Sequence, residues 1–306
     1  MTAIKRRSSR RHFLRQSAAA AVGIGLGQTS GRAAAEPTAL PLADYHVHLD
    51  NSTLDAVLEL SARLGVRFGI VEHAGTKENQ YPVVLSNDRE LLDYVARFEG
   101  KPAWKGVQAE WKDWMTCFSR EALARLDYVL TDAMTFPGRD GRRVKLWEPR
   151  AAEHVDFTDA EAFMDRYVDW HVEIIRRQPI DLFANLTWLP DPFMPRYDAL
   201  WTPARMRRIV EAAATHGVAF EISSSFKVPR LPFLRLAREA GIKIAFGSNG
   251  RYPNMGKLEY SLALARELEL KPDDLFTPAP DGKKAAQRRT GSASQHRPTA
   301  SRVTPL

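Results

Sequence analysis

Seven short runs rich in β-branched and aromatic residues recur between residues 44 and 247, and most are followed by a stretch with helical periodicity. No other feature restricts the fold as much, because strands separated by helices return the chain to the same end each time and pair in parallel. The expected strands are 44–48, 67–72, 105–110, 127–131, 181–185, 219–223 and 243–247, and the expected helices 53–64, 89–98, 158–177, 203–216, 232–240 and 257–268. Over 158–177, Thr158 and Glu161 have the spacing of a capping box, with Phe163, Tyr167, Val168, Ile174 and Ile175 on one face. No glycine-rich phosphate loop follows the first strand, so a closed barrel is expected rather than an open nucleotide-binding sheet. The chain of 306 residues is long enough for one such barrel.

The rhythm breaks at 136–157, where Gly138 and Gly141 flank Arg139, Arg142, Arg143 and Lys145, with Trp147 beyond. This reads as a long loop at the C-terminal face of the barrel, where substrates bind; its arginines either contact substrate or are simply solvated.

The net charge of +7 suggests nucleic acid until it is located. Residues 1–35 hold seven basic residues and no acidic one, and 277–306 hold six basic residues and Asp281, which leaves 31 basic against 36 acidic residues between them. The body is net negative, and a nucleic-acid partner is not expected. Cys117 is the only cysteine, so an intramolecular disulfide is excluded.

Arg10 and Arg11, the apolar run 17–26 and Ala33, Ala34 and Ala35 resemble, in that order, a twin-arginine export signal with its cleavage site. The expectation is export by the twin-arginine machinery to the periplasm or beyond, with no stable membrane insertion after cleavage, because the apolar run is too short to span a bilayer. Residues 36–276 form the expected barrel domain, and 277–306, poor in large apolar residues, a disordered basic tail.

His46 and His48 stand two apart on the first strand and so share a face at its C-terminal end. Glu72 and His73 end the second strand and Glu110 the third, so imidazoles and carboxylates are expected to gather at one barrel mouth. His154, His171 and His216 have no such companions. Trp104, Trp111, Trp114, Trp188 and Trp201 line a pocket or pack the core, and Cys117 has no base near it in sequence.

The order of motifs resembles the PHP family of metal-dependent phosphoesterases, related to histidinol phosphatase and to the polymerase-associated PHP domain. It rests on the stretches 44–48 (DYHVH), 64–73 (LGVRFGIVEH), 106–110 (GVQAE), 127–129 (DYV), 220–222 (FEI) and 240–248 (AGIKIAFGS). The resemblance implies a distorted (β/α)7 TIM-like barrel of the PHP type. It also implies a divalent metal ion (Zn, Mn or Fe), one or at most two, held by His46, His48, Glu110 and Asn249, with Asn249 standing where the family has aspartate. Met134, Asn185 and Arg251 stand at further positions where the family has histidine.

The implied activity is a phosphoesterase using a metal-activated water, with His73, Asp132 or Glu221 moving protons. Arg251 and Lys112, with Asn185, would hold a small anionic substrate. Two other readings stay open: an amidohydrolase-type metal hydrolase, which also begins with His-x-His, and a non-catalytic binding protein on a degenerate barrel.

Overall fold

The computed structural model describes residues 39–50 and 52–288. The expected export signal therefore lies outside the described residues, as do residues 289–306 of the expected tail. No helix among the described residues is long and apolar enough to cross a membrane.

The chain forms an α/β barrel of parallel strands: β1 Ala43–His48, β2 Arg67–Ala74, β3 Trp104–Ala109, β4 Tyr128–Thr131, β5 Leu182–Phe183, β6 Ala219–Ser223, β7 Ile244–Gly247 and a two-residue β8, Gly250–Arg251. Neighbours pair in sequence order from β1 to β7, and β8 pairs with the free edge of β1. The seven expected strands are present, and the eighth adds a partner at the mouth alone. Helices α1 Leu54–Leu64, α2 Asp88–Ala96, α3 Arg120–Leu123, α4 Ala160–Arg177, α5 Pro203–His216, α6 Leu231–Glu239 and α7 Glu259–Glu267 connect them. Their apolar faces cover the outside of the sheet, while Tyr45, Val71, Tyr128, Leu130, Leu182 and Ala184 form a smaller cluster inside it.

Two local features shape that interior. Between Asp44 and Val47 strand β1 carries one residue more than β2 does between Phe68 and Ile70, a bulge. It lets Tyr45 join the interior cluster while His46 and His48 still turn to the mouth. The Tyr128 ring lies across the barrel, its hydroxyl donating to Tyr45 O at 2.7 Å. A Cβ at residue 106 would meet that ring at 2.6 Å, so Gly106 in β3 is required by packing.

β7 lies beside β1 with no backbone ladder between them. The seam is closed by the fully buried Asp44, whose carboxylate accepts from Ser248 N (2.9 Å), Gly256 N (2.9 Å), the Ser248 hydroxyl (2.5 Å) and His46 N (3.1 Å). Towards the N-terminal ends of the strands, Tyr45 stacks on Trp104 (4.8 Å between centroids) and meets Phe276 edge-on (5.1 Å).

Three expectations are corrected. The N-cap of α4 is Asp159, which accepts from Glu161 N and Ala162 N, and not Thr158, whose hydroxyl is held by Asp156 at 2.6 Å. The segment 136–157 is no open loop: Thr135–Pro137 and Arg143–Lys145 form an antiparallel hairpin, followed by a helical turn at Ala151–His154. Arg143 pins this hairpin to the loops after β2 and β3, donating to Asp113 Oδ2 and Asn79 Oδ1 (2.6 Å each), Glu78 Oε2 and Thr76 Oγ1. Finally, residues 277–288 of the expected disordered tail are packed against the barrel: Ala285 N donates to Asp181 Oδ1 (2.9 Å), Lys284 Nζ to Ala124 O (3.0 Å), and Ala285 and Ala286 are buried.

Replacing Asp44 with Ala strands three backbone N–H groups at the seam. At about 1–3 kcal/mol for each unpaired buried donor, the unfolding free energy in urea should drop by at least about 3 kcal/mol. A drop below about 1 kcal/mol would show that the seam does not depend on this carboxylate.

Candidate active site at the barrel mouth

The strand ends bring most of the expected residues together, but not as a metal site. His46 is fully buried and engaged at both ring nitrogens: Nδ1 faces Glu221 Oε2 at 2.8 Å and Nε2 faces Gln108 Oε1 at 3.0 Å. Gln108 is oriented by its other end, which donates to Asp132 Oδ2 at 3.3 Å. Asn185 Nδ2 donates to the same oxygen (3.1 Å), and Ser223 Oγ donates to Asn185 Oδ1 (3.1 Å). One hydrogen-bonded chain thus crosses the mouth from Glu221 through His46, Gln108, Asp132 and Asn185 to Ser223. Glu221 reaches His46 because residue 247 is glycine; a Cβ there would meet the Glu221 carboxyl carbon at 2.4 Å.

Acceptors face both ring nitrogens, which places His46 to donate from each. Burial opposes the charged form, and the Glu221 carboxylate and Gln108 carbonyl outweigh burial, so its pKa lies above the usual histidine value. Burial, and then the positive charges of its neighbourhood, the Arg251 guanidinium among them, hold the pKa of His48 far below the usual histidine value. His73 is lowered to about 3 by burial and then by Arg251, while burial raises Glu110 to about 8. These last two meet at 2.8 Å (Nδ1 to Oε1), and at neutral pH they share one proton without net charge. Tyr81 donates to Glu110 Oε2 at 3.3 Å and stacks flat on His73, 3.6 Å between centroids.

This donor set does not fit a resident divalent cation. Both ring nitrogens of His46 face acceptors, Glu110 Oε1 faces His73, and Asn249 Oδ1 accepts from Arg251 Nη1 at 2.9 Å. Among the described residues, no three His, Cys, Asp or Glu side chains converge as a metal group. The Arg251 guanidinium beside His48 and His73 opposes a cation there as well. The expected metal set of His46, His48, Glu110 and Asn249 is therefore four residues with four separate partnerships or environments. Both ring nitrogens of His48 and Nε2 of His73 are buried without a hydrogen-bond partner.

Above this chain opens a cavity of about 290 Å³. Asp132, Gln108, Asn185 and His73 form its floor, Tyr81, Trp147, Trp188 and Phe226 supply aromatic walls, and Asn249 and Arg251 stand at its rim. Trp147 follows two residues after the hairpin pinned by Arg143, and Lys145 lies over the Tyr81 ring at 4.2 Å. Of the expected proton carriers, Asp132 and His73 reach the cavity, whereas Glu221 is buried behind His46. Lys112 is a correction: it is exposed and lies over Trp111 at 5.1 Å, away from the cavity. Glu72 is another, since the alternation of β2 turns it outward towards Tyr94 and Arg97 of the helix layer. Gln108 was missed, although its position two residues before Glu110 on β3 places it on the same inward face.

No family model matches the chain, and no curated protein matches it. Solved structures that resemble it include a chain of an archaeal ribonuclease P with mature tRNA (12% identity, TM-score 0.38, 75% of this chain and 83% of that one). The citrate synthase SbnG (14%, 0.35, 74% and 93%) and an HpcH/HpaI aldolase from Desulfitobacterium hafniense (10%, 0.33, 79% and 96%) are similar to a comparable degree. At these scores they assign neither family nor activity. What stands is a TIM-like barrel protein with a polar, aromatic-walled mouth.

Asp132 is raised to about 6, chiefly by burial. A carboxyl group raised in the folded chain binds its proton more tightly there, so its contribution to stability falls as pH rises from 3.8 through about 6. The Asp132→Asn variant cannot ionise and should gain stability relative to the parent across that window, read as urea midpoints. Midpoint curves that stay parallel would contradict the raised value.

Proposed function

We propose that the chain is an exported hydrolase of small molecules in which Asp132, not a metal, activates the attacking water. The observation that supports this most is the placing of Asp132. Its carboxylate is held by Gln108 Nε2, Asn185 Nδ2 and Met134 N (2.9 Å) and still borders the cavity. A pKa of about 6 leaves it ionised at neutral pH yet basic enough to take a proton from water. The resemblance of the motifs to a family of hydrolases favours hydrolysis among acid–base reactions.

In the proposed step, water bound beside Asp132 attacks the ester carbon as Asp132 takes its proton. The bond to the leaving oxygen breaks, and Asp132 returns the proton to that oxygen. The free guanidinium nitrogen of Arg251 holds one negative charge of the substrate. One free nitrogen suits a single carboxylate better than a phosphate monoester dianion, so a carboxylic ester that carries a separate carboxylate is favoured over the phosphoester implied by the resemblance. The His46–Glu221 pair fixes Gln108, and through it Asp132; its role is positioning.

The test is a panel of aryl carboxylic and phosphate esters, assayed with and without a chelator. Asp132→Asn should lower kcat by about 10²–10⁴-fold, and the chelator should leave the parent rate unchanged. Activity that appears only on adding metal, or that survives Asp132→Asn, would refute the proposal. Specific ligand binding without turnover would leave the binding-protein reading in its place.

A further inference from the structure

The polar atoms of the cavity divide sharply into those already paired and those left for a ligand. The amides of Gln108 and Asn185 are turned to neighbours at both ends: Gln108 to His46 and Asp132, Asn185 to Asp132 and Ser223. At the inner end this leaves the spare lone pairs of Asp132 and the unpartnered Nε2 of His73. At the outer end stands Arg251, its Nε donating to Asp50 Oδ2 (2.8 Å) and its Nη1 to Asn249 O and Oδ1 (2.9 Å each). Its Nη2 donates to no group among the described residues, and its side chain is 44% exposed. Between the two ends the surface is aromatic, with Tyr81 and Trp147 contributed by the segments after β2 and β4 and Trp188 and Phe226 by those after β5 and β6.

We infer that the cavity takes a single planar ring with a hydroxyl at the inner end and a carboxylate at the outer end. The ligand class is an aromatic hydroxy acid, or the aryl ester that releases one. The hydroxyl donates to Asp132, the carboxylate accepts from Arg251 Nη2, and the ring packs among the aromatic walls. A sugar of similar size would bring about four or five hydroxyls to a cavity whose walls are largely aromatic. Each hydroxyl left unpaired would weaken binding.

This deepens the proposed function and uses the same cavity, but it concerns binding and does not require turnover. As a substrate, 4-acetoxybenzoate and one water would give 4-hydroxybenzoate and acetate: the water oxygen joins the acetyl carbon, the acetyl–aryl oxygen bond breaks, and the aryl oxygen takes the proton from Asp132.

The experiment measures binding of 4-hydroxybenzoate, benzoate, phenol and glucose by calorimetry and tryptophan fluorescence, on the parent, Arg251→Ala and Asp132→Asn. The parent should bind 4-hydroxybenzoate at least about ten-fold tighter than benzoate or phenol, and glucose least. Arg251→Ala, a change at a half-exposed side chain, should abolish the advantage over phenol. Asp132→Asn should reduce the advantage over benzoate. Equal affinity for the three ring compounds, stronger binding of glucose, or an advantage over phenol that survives Arg251→Ala would overturn the inference. Hydroxy-acid preference without cleavage of 4-acetoxybenzoate would refute hydrolysis and leave the inference standing. Cleavage of aryl esters with no carboxylate preference would do the reverse.

Discussion

A parallel barrel whose β7 and β1 share no backbone ladder must be closed by something else, and here a buried carboxylate does it together with the two-residue pairing of β8 on β1. Asp44 gathers two backbone N–H groups and a hydroxyl from the far side of the seam, on residues 248 and 256. Its consequence reaches the mouth, because His46 follows two residues later and Asn249 and Arg251 follow Ser248 directly. The seam that Asp44 holds shut therefore sets how the β1 histidines meet Glu221 on β6 and the guanidinium after β7. Burying that carboxylate is expensive, and burial raises its pKa despite the hydrogen bonds that favour its charge.

At the mouth, the polar side chains gathered by the strand ends are paired with one another. At its centre His46 is held between Glu221 and Gln108, which favour its protonated form. Such a buried pair adds little net stability, since desolvation offsets attraction, but losing either partner leaves a buried charge at a cost of about 3–5 kcal/mol. Its value lies in geometry: it fixes the Gln108 amide, which together with Asn185 aims Asp132 at the cavity. Arg251 acts with it, since a guanidinium at the rim favours anions over cations.

Much of the fold was legible because it is written in short-range pattern. The strands at residues 67–72 and 243–247 are largely apolar runs bounded by helical periodicity, and α5 ends at Gly217 in the left-handed conformation expected of a helix stop. What could not be read depended on partners distant in sequence or on competition between neighbours. The bulge in β1 exists only relative to β2, and Thr158 lost the cap to Asp159 because Asp156 took its hydroxyl. The hairpin at 135–145 is held by Arg143 reaching loops some thirty and more residues upstream. At the site, spacing brought His46, His73, Glu110 and Asp132 to one mouth, but spacing carries no information on pairing. Gln108, an uncharged residue with no motif of its own, decides what His46 can do.

The most direct test of this account is the metal content of the folded protein, purified without chelator, then incubated with Zn, Mn or Fe and desalted. The paired donors described above predict well below about 0.1 equivalent of any of them, with the same value for the His46→Ala and His48→Ala double variant. Close to one equivalent, lost in that variant, would show that the chain from Glu221 to Ser223 opens to a cation, and would return the site to metal-dependent chemistry.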